Sequence, residues 1–401
     1  MNSTPSAVIN KKAAHALARG GCWVYSSDIM RLDGPYENGG IVAVRDEKGR
    51  CLGQGFINDR SKIRIRLLTR REHAVIDDAF FLEAAKRCVA YRKTAADLAA
   101  CRLVFGEADF LPGLTVDLYG DILVVQSLAL GIDRFKGIIV GALKTALRDE
   151  GITVRGVYER SDGPSRAQEG LSPVKGFLGE RFDASDVTIV ENGILLHVDV
   201  ESGQKTGYFL DQRENRLFMR RLSKGAAALD CFCNLGGFAL NLCAGGAESV
   251  LAADTSEEAL RLARRNAADN GYADKIRFVK ADVFELLPEL AAQKEKYDIV
   301  VLDPPAFTKA RSTVDGAIRG YKEINLRGMK LVREGGFLAT CSCSRFLGEE
   351  LFRSLLTEAA ADAGVFLRQA ARFYQAPDHP VVLGAEESAY LKCMVFQVIK
   401  R

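Results

Sequence analysis

The chain has 401 residues, of which 48% are hydrophobic and 27% are charged. This length is too great for a single hydrophobic core, and the composition is that of an ordinary globular protein, so we expect two or three folded domains. No apolar run reaches the roughly 18 residues of a membrane helix, and the first residues lack the pattern of a signal peptide, so a cytoplasmic location is expected.

The ten cysteines are scattered through the chain. In a large chain without an export signal they are expected to be thiols and not disulfides. Two Cys-x-Cys pairs occur, at Cys231/Cys233 and at Cys341/Cys343, and none of the four histidines is near either pair in sequence. This spacing does not predict a metal site.

The net charge of +3 is unevenly distributed along the chain. Residues 1–75 contain 13 Lys or Arg and 7 Asp or Glu, so this part alone carries +6. A basic module on a near-neutral body favours a polyanionic partner such as a nucleic acid. An ordinary solvated surface explains the charge equally well.

Residues 1–75 have the pattern of short strands separated by turn signals. The last strand, over 63–68, alternates apolar and basic residues, and a period of two places Arg64 and Arg66 on one face. We therefore expect a small β-barrel with a basic stripe, or else a sheet face that is merely exposed. The other predicted strands cover 20–25, 41–44 and 53–57.

Residues 76–185 are predicted to form a second domain, of α+β type. A helical pattern covers 76–96, and a second helix near 133–149 precedes a strand at 154–159. The strand patterns at 114–119 and 121–126 flank a single glycine and predict a β-hairpin.

From about residue 195 onward, strands alternate with helices. This rhythm predicts a doubly wound, largely parallel sheet in a third domain over 186–401. One helix, over 256–270, has Ser256 as its predicted N-cap, and another opens over 238–243. The predicted strands cover 227–231, 248–254, 276–279, 298–302 and 336–341.

Three carboxylates, Asp230, Asp254 and Asp282, follow successive strands. The adjacent glycines Gly236 and Gly237 let the backbone pass close under a ligand, but the loop lacks the Gly-x-Gly-x-x-Gly of a pyrophosphate site. Asp254 is placed to accept the two hydroxyls of a ribose, and Asp282 to accept the exocyclic amine of adenine. Each carboxylate alone is more typical of a strand end or cap, but together they indicate S-adenosyl-L-methionine, a cationic nucleoside without phosphate.

The segment 297–307 is the most informative of the chain. A β-branched and Leu-rich run ends at Asp303, and Pro304 and Pro305 hold this residue extended at the strand tip. Ligands bind at the strand tips of open α/β sheets. An Asp-Pro-Pro-aromatic tip is typical of methyltransferases that act on a nucleobase, because the carboxyl group of Asp303 can bond the base edge while the Phe307 ring stacks on the base.

These motifs together resemble the ribosomal large-subunit RNA cytosine-C5 methyltransferase I family. The resemblance implies an RNA-binding PUA domain at 1–75, a central α+β domain at 76–185 and a Rossmann-like methyltransferase domain at 186–401. It also implies a homodimer that acts on ribosomal RNA. The matching motifs extend over nearly the whole chain, at 207–213, 236–238, 254–256, 303–307, 320–325, 341–344 and 378–380.

The same resemblance implies a strap at 206–213 that crosses the cofactor. Gln212 and Arg213 then contact its methionine end, and Arg213 offers two parallel hydrogen bonds to the carboxylate. The alternative for Arg213 is an ion pair with an aspartate that fixes the strap. The predicted cofactor-binding residues are Tyr208, Gln212, Arg213, Asp230, Asn234, Gly236, Gly237, Phe238, Asp254, Thr255, Ser256, Asp282, Val283, Asp303 and Pro304. The predicted substrate-binding residues are Pro305, Phe307, Arg64 and Arg66.

The predicted catalytic residues are Cys343 and Asp303. Cytosine C5 is a poor nucleophile, so a thiolate must add at C6 before C5 takes the methyl group from the sulfonium, loses its proton and expels the cysteine. Cys343 lies beyond the predicted strand tip, where the family pattern places its reactive cysteine, whereas Cys341 is expected to pack in the strand. Asp303 is expected to bond the N3/N4 edge of the base and keep N3 protonated. Cys231 and Cys233 are expected to pack under the cofactor.

Two rival functions fit parts of the sequence. A nitrogen of guanine or adenine can itself attack a methyl group, so a nitrogen methyltransferase with the same tip needs no cysteine. A non-catalytic RNA-binding protein that retains the fold is the other rival. The joint presence of Asp254, Asp282, Asp303 and Cys343 argues against it, because a binding module has no need of all four.

Overall fold

The computed structural model describes residues 4–308, 311–385 and 388–401, which form two compact units. The first unit contains the chain up to Val187 together with Asp199–Leu210 and Pro377–Ser388. The second contains Thr188–Val198, Asp211–Ala376 and Ala389–Arg401. Two short segments of the predicted third domain therefore belong to the first unit. The predicted domain boundaries at 75/76 and 185/186 stay predictions.

The first unit begins with a six-stranded sheet. Its elements are β1 (Ser6–Ile9), α1 (Lys11–Ala18), β2 (Trp23–Tyr25), β3 (Ile29–Asp33), β4 (Ile41–Arg45), β5 (Cys51–Ile57) and β6 (Ile63–Thr69). The strand order is β2-β6-β5-β4-β1-β3, with only the β1–β4 pair parallel. Val24, Val42 and Ile65 are fully buried in its core. The four predicted strands are confirmed, whereas β1, α1 and β3 were not predicted, because they are short and carry weak periodicity.

A second sheet follows in the same unit, with two long helices. The elements are α2 (Asp78–Ala95), β7 (Ala100–Phe105), β8 (Leu114–Tyr119), β9 (Ile122–Ser127), α3 (Leu130–Asp149), β10 (Gly156–Ser161), α4 (Ser165–Gln168) and β11 (Val174–Phe177). The strand order is β11-β10-β9-β8-β7. Helix α2 begins where the Asp77 carboxylate accepts a hydrogen bond of 3.0 Å from the backbone N–H of Phe80. The predicted hairpin and both predicted helices are confirmed, and β10 begins two residues later than predicted.

The second unit is built around a seven-stranded sheet. A two-stranded sheet of β12 (Val187–Glu191) and β13 (Ile194–Val198) precedes it. The elements that follow are α5 (Arg213–Leu222), β14 (Ala227–Cys231), α6 (Gly237–Ala244), β15 (Ser249–Asp254), α7 (Glu257–Asp269), β16 (Ile276–Lys280), α8 (Val283–Ala292), β17 (Tyr297–Leu302), α9 (Val314–Leu331), β18 (Val332–Ser342), α10 (Glu349–Ala363), β19 (Val365–Phe373) and β20 (Lys392–Lys400).

The order of this sheet is β16-β15-β14-β17-β18-β20-β19. The five strands from β16 to β18 are parallel to their neighbours, and β20 is antiparallel to both β18 and β19. Leu229, Val300 and Leu338 are fully buried, as expected for central strands covered on both faces. The predicted doubly wound, largely parallel sheet is confirmed. The Ser256 hydroxyl accepts a hydrogen bond of 3.2 Å from the N–H of Ala259, so the predicted N-cap of α7 is also confirmed.

A buried ion pair joins β12 to α5. The guanidinium of Arg216 donates two hydrogen bonds of 2.7 Å to the carboxylate of Glu191, and both side chains are almost fully buried. Because Glu191→Gln removes the negative charge with which the buried guanidinium of Arg216 pairs, we expect it to lower the free energy of unfolding by about 3 kcal/mol. Urea unfolding measures this loss. The matched control is Glu258→Gln, which removes one member of the exposed ion pair between Glu258 and Arg261 and is expected to have little effect on stability. Equal losses of stability in the two variants would contradict the expectation.

Candidate cofactor and active site

Four carboxyl groups collect at the carboxyl edge of the seven-stranded sheet. Asp230 lies near the end of β14, Asp254 ends β15, Asp303 directly follows β17, and Asp211 precedes α5. They lie close enough to interact: the negative charges of Asp303 and Asp254 raise the pKa of Asp230, and that of Asp211 raises the pKa of Asp303. Parallel strands end at the same edge, so the topology brings together side chains that are far apart in sequence.

The loop between β14 and α6 has an unusual backbone. Phe232, Asn234 and Gly236 have φ angles of 64°, 48° and 81°. Left-handed backbone is rare for residues other than glycine, and it clusters at functional sites. The N–H of Asn234 donates to the Asp254 carboxylate at 3.0 Å, which fixes the loop over the end of β15. Sequence reasoning selected Asn234, Gly236 and Gly237 as cofactor contacts, but it did not predict the left-handed backbone of Phe232 and Asn234.

Three buried acceptor atoms at this edge have no hydrogen-bond partner within the described residues. They are Oδ1 of Asp211, Oδ1 of Asp230 and Oδ1 of Asn234. An unpaired buried acceptor costs about 1–3 kcal/mol, so such atoms are normally satisfied by a donor. S-adenosylmethionine carries hydroxyl and amino donors together with a positive charge. The donor groups of this cofactor therefore fit the acceptors that the structure presents.

Asp254 and Asp282 also hold the backbone that surrounds them. The Asp254 carboxylate accepts from the N–H of Asn234 and from that of Ser256 at 2.9 Å. The exposed Asp282 is the N-cap of α8 and accepts from the N–H of Phe284 at 2.9 Å. A carboxylate oxygen can accept two hydrogen bonds, so both groups retain capacity for a ligand. Of the other residues predicted to bind the cofactor, Thr255 is exposed, whereas Val283, Phe238, Gly237 and Pro304 are buried.

Gln212 links the predicted strap to the strand tip. Its side-chain amide donates to Asp303 Oδ1 at 2.8 Å, and its oxygen accepts from the Asn215 amide at 2.5 Å. Arg213 is buried at the start of α5, with its Nε 3.5 Å from the carboxylate of Glu214. The predicted role of Arg213 at the methionine carboxylate and its alternative, an ion pair with an aspartate, both stay predictions. Tyr208 lies in the first unit, where its backbone N–H donates to a tyrosine hydroxyl.

The acidity of two of these carboxyl groups is strongly shifted. Loss of solvent around Asp303, followed by the negative charge of Asp211, raises the pKa of Asp303 to about 7, although Arg216 and Gln212 act in the opposite direction. Burial in the core raises the pKa of Asp230 to about 8. Groups with shifted acidity in a cleft are candidates for functional roles.

These shifts predict how stability varies with pH in the absence of cofactor. The folded pKa values of Asp230 and Asp303, about 8 and about 7, exceed the unfolded value of about 4, so the folded state binds more protons between those limits. Stability is therefore expected to fall as pH rises from 6 to 8. Urea unfolding at both pH values should show this slope, and the double variant Asp230→Asn/Asp303→Asn should flatten it. An unchanged slope in that variant would contradict the assignment.

Cys343 differs from the other cysteines of the site in its exposure. It is the first residue beyond β18, which ends at Ser342, and it is partly exposed. Cys341, Cys231 and Cys233 are buried, and burial raises the pKa of each of these thiols well above its ordinary value. A neutral buried thiol is a poor nucleophile. These three cysteines are therefore suited to packing in the core and not to nucleophilic attack on a substrate.

The register of β17 and β18 places Cys343 near the tip that carries Asp303. Leu302 pairs with Thr340, so Asp303 is level with Cys341, whose thiol acts on the Asp303 carboxyl group through a hydrogen bond. Cys343 follows two residues later, which is about 7 Å further along the strand direction. The catalytic pair predicted from the sequence thus lies on adjacent strand ends.

Of the predicted substrate contacts near the tip, Pro305 is exposed and Phe307 is partly buried. The Phe307 ring lies 4.5 Å from that of Tyr321 and 5.8 Å from that of Phe284, measured between centroids. It also packs against the main core of the second unit. The ring is therefore held by its own fold, and its stacking on a base stays a prediction.

The predicted basic stripe in the first sheet is not a set of unpaired cations. The guanidinium of Arg64 lies 2.6 Å from Asp59, and that of Arg66 lies 2.9 Å from Glu169 and 3.4 Å from Glu107. Alternation correctly placed both arginines on one strand face, but it could not reveal acidic partners that arrive from distant parts of the chain. Contact of Arg64 and Arg66 with RNA stays a prediction.

Exposed arginines occur elsewhere in the first unit. A groove of about 840 Å³ is lined by Arg70 and Arg71, which follow β6, and by the aromatic rings of Phe80 and Phe110. Phe110 is 48% exposed and has a left-handed φ of 59°. The groove contains none of the predicted site residues. In the sequence, the adjacent Arg70 and Arg71 are the feature that could have indicated this groove.

Comparison with known proteins agrees with this geometry. Residues 166–397 match the family model of S-adenosylmethionine-dependent methyltransferases, and residues 7–70 match that of PUA-like domains. The fold is similar to that of a chain from Streptococcus mutans, with a TM-score of 0.81 and 20% identity over 98% of this chain and 99% of that one. It is also similar to SMU.776 complexed with SAH, with a TM-score of 0.83 and the same identity and coverage. The protein is a methyltransferase that uses S-adenosylmethionine and carries a PUA-like domain.

Relatives with a higher sequence identity than these two structures show to which family the chain belongs. A ribosomal RNA large subunit methyltransferase I from Alteromonas mediterranea is 40% identical, with 94% of each chain covered. One from Klebsiella pneumoniae is 37% identical, with 98% of each chain covered. The chain belongs to the ribosomal RNA large subunit methyltransferase I family, which confirms the resemblance read from its motifs. In the part of the chain that the structure describes, no helix is both long and apolar enough to cross a membrane.

Proposed function

We propose that this protein methylates C5 of a cytosine in large-subunit (23S) ribosomal RNA, with Cys343 as a covalent nucleophile. The observation that carries the proposal is the position of Cys343, a partly exposed thiol directly beyond β18, at the same sheet edge as Asp303. The relatives are named for ribosomal RNA of the large subunit, which supports that substrate. The PUA-like domain supports binding to RNA.

The residues at the carboxyl edge of the sheet hold the cofactor in this proposal. Asp254 accepts the ribose hydroxyls, Asp282 accepts the adenine amine, and Arg213 meets the methionine carboxylate. The unpaired oxygens of Asp230 and Asn234 accept the remaining donors. When bound, S-adenosylmethionine supplies an electrophilic methyl group.

Cys343 activates the base. Its thiolate forms a bond to C6 of the cytosine, and the electron pair of the C5–C6 double bond moves to C5, which becomes nucleophilic. Once C5 carries the methyl group, a base removes the C5 proton, the double bond reforms and the S–C6 bond breaks. The thiolate is restored, so the cysteine is neither oxidised nor consumed.

Asp303 holds and polarises the base. With a pKa of about 7, a large fraction of this carboxyl group is protonated at neutral pH. Its O–H then donates to N3 of cytosine, and its carbonyl oxygen accepts from the N4 amine. Withdrawal of electron density at N3 favours addition of the thiolate at C6. The hydrogen bond from Gln212 fixes the orientation of the carboxyl group.

The proposal also includes the homodimer that the family resemblance implies and the cytoplasmic location that is expected from the sequence. RNA contacts are assigned to Pro305 and Phe307 at the tip and to the PUA-like domain, including the strand that carries Arg64 and Arg66. Analytical ultracentrifugation at micromolar concentration tests the dimer, for which a single monomeric species is the contrary result.

Mapping of the methylated atom tests the reaction. The purified protein is incubated with S-adenosylmethionine and ribosomal RNA from a strain that lacks the enzyme, and the digested nucleosides are identified by mass spectrometry. We expect 5-methylcytidine. A nitrogen-methylated purine would establish the nitrogen methyltransferase instead. Absence of S-adenosylmethionine binding in isothermal titration would establish the non-catalytic RNA-binding protein.

A further inference from the structure

A buried lysine lies beside the proposed nucleophile. Lys392 begins β20 and pairs in antiparallel register with Ser342, the residue before Cys343. The residue is only 8% exposed. Its ammonium donates hydrogen bonds to the carbonyl oxygens of Ser344 at 2.8 Å and of Tyr390 at 2.9 Å. These bonds hold the positive charge against the short segment that contains Cys343.

The charge of Lys392 has no carboxylate partner within residues 4–308, 311–385 and 388–401. An ammonium group has three donors, and the two carbonyls use only two of them. The charged groups that act on it are Cys343 and Glu349, and both favour its protonated form. Glu349 is already bound by the guanidinium of Arg372 at 2.6 Å and by a tyrosine hydroxyl at 2.8 Å.

A buried ammonium without an anion is costly, and the thiolate of Cys343 is the anion that would balance it. Burial lowers the pKa of Lys392 to about 8, and a negative charge at Cys343 opposes this shift. The interaction is mutual, because a cation that a thiolate stabilises also stabilises that thiolate. Lysines next to cysteines lower thiol pKa values in reactive sites of other proteins.

We propose that Lys392 is a positioning residue whose ammonium group stabilises the thiolate of Cys343 and so raises its reactivity. This inference rests on the proposed function only in giving that thiolate the task of attacking C6. The thiol proton is released to solvent, and Lys392 remains an ammonium throughout. A lysine that merely ties β20 to the end of β18 would support folding but would leave the pH dependence of the thiol unchanged.

Alkylation of Cys343 as a function of pH distinguishes these roles. The native protein is treated with iodoacetamide between pH 5.5 and 9.5, and mass spectrometry of the peptide that contains Cys343 gives the rate. An ordinary cysteine has its midpoint at about pH 8.5. We expect the wild-type midpoint to lie clearly below that value. A wild-type midpoint at or above it would overturn the inference without need of any variant.

Substitutions then locate the cause. Lys392→Met is expected to move the midpoint upward by about one pH unit and to slow alkylation near neutral pH about tenfold, whereas Lys392→Arg should keep the wild-type midpoint. Lys400→Met is the matched control, since Lys400 is exposed at the far end of the same strand, and it should change nothing. An equal midpoint in Lys392→Met and wild type would overturn the inference.

Failure of this inference and failure of the proposed function are separable. If Cys343→Ala retains methyl transfer, the covalent mechanism fails, but alkylation still reports whether Lys392 controls the thiol. If Cys343→Ala is inactive and Lys392→Met has a wild-type midpoint, only the role of Lys392 fails. Thermal unfolding and titration with S-adenosylmethionine confirm that each variant is folded.

Discussion

Replacement of Cys343 by alanine is expected to reduce methyl transfer by at least about 10⁴-fold, because no other group can form the bond to C6 that activates C5. Binding of S-adenosylmethionine should remain within about twofold of wild type, because Cys343 lies beyond β18 and outside the predicted set of cofactor contacts. Transfer of a radioactive methyl group to RNA measures the first quantity, and isothermal titration measures the second.

Cys341 provides the matched control for this change. It is the other cysteine of the same Cys-x-Cys pair, but it is fully buried within β18. Cys341→Ala is therefore expected to keep most of the activity, with at most a modest loss of stability. Activity in Cys343→Ala close to that of wild type would contradict the covalent mechanism.

Replacement of Asp303 by alanine is expected to lower kcat/KM for RNA by about 10³-fold, because it removes both the hydrogen bonds to the base and the proton at N3. Asp303→Asn separates these contributions. Its amide donates to N3 and accepts from N4 as a protonated carboxyl group does, but it cannot transfer a proton. The loss in Asp303→Asn should therefore be smaller, at about 10²-fold.

The pH profile gives this prediction a second readout. Since the protonated carboxyl group is the active form and its pKa is about 7, wild-type kcat should fall as pH rises from 7 to 9. The Asp303→Asn variant should lack that descending limb. Alanine and asparagine variants with equal activity and the same descending limb as wild type would exclude this role for Asp303.

Much of the architecture follows from hydrophobic pattern alone. The runs that form β14, β15 and β17 are rich in apolar residues and largely buried, so their bounds could be predicted nearly residue by residue. In contrast, the placement of the segments 199–210 and 377–388 in the first unit could not be predicted from the sequence. It depends on contacts such as that of the Asp378 carboxylate with the N–H of Arg102 at 2.9 Å, 276 positions away in sequence.

The candidate site was likewise predictable only in part. The gathering of Asp230, Asp254 and Asp303 was predictable, because parallel strands share one carboxyl edge. The pairing of Arg66 with Glu169 and the burial of Lys392 beside Cys343 were not, because each depends on partners that only the folded chain brings together. Periodicity predicts the face on which a side chain lies, but not the charge that meets it there.

The most direct test of the central claim is to trap the covalent intermediate. In RNA that contains 5-fluorocytosine at the target position, fluorine replaces the C5 proton, so elimination is blocked after methyl transfer and the S–C6 bond persists. The proposed mechanism predicts an RNA adduct that survives denaturing electrophoresis and maps by mass spectrometry to the peptide of Cys343, and that is absent in Cys343→Ala. Methylation of unmodified RNA at full rate, with no adduct from the fluorinated RNA, would contradict it.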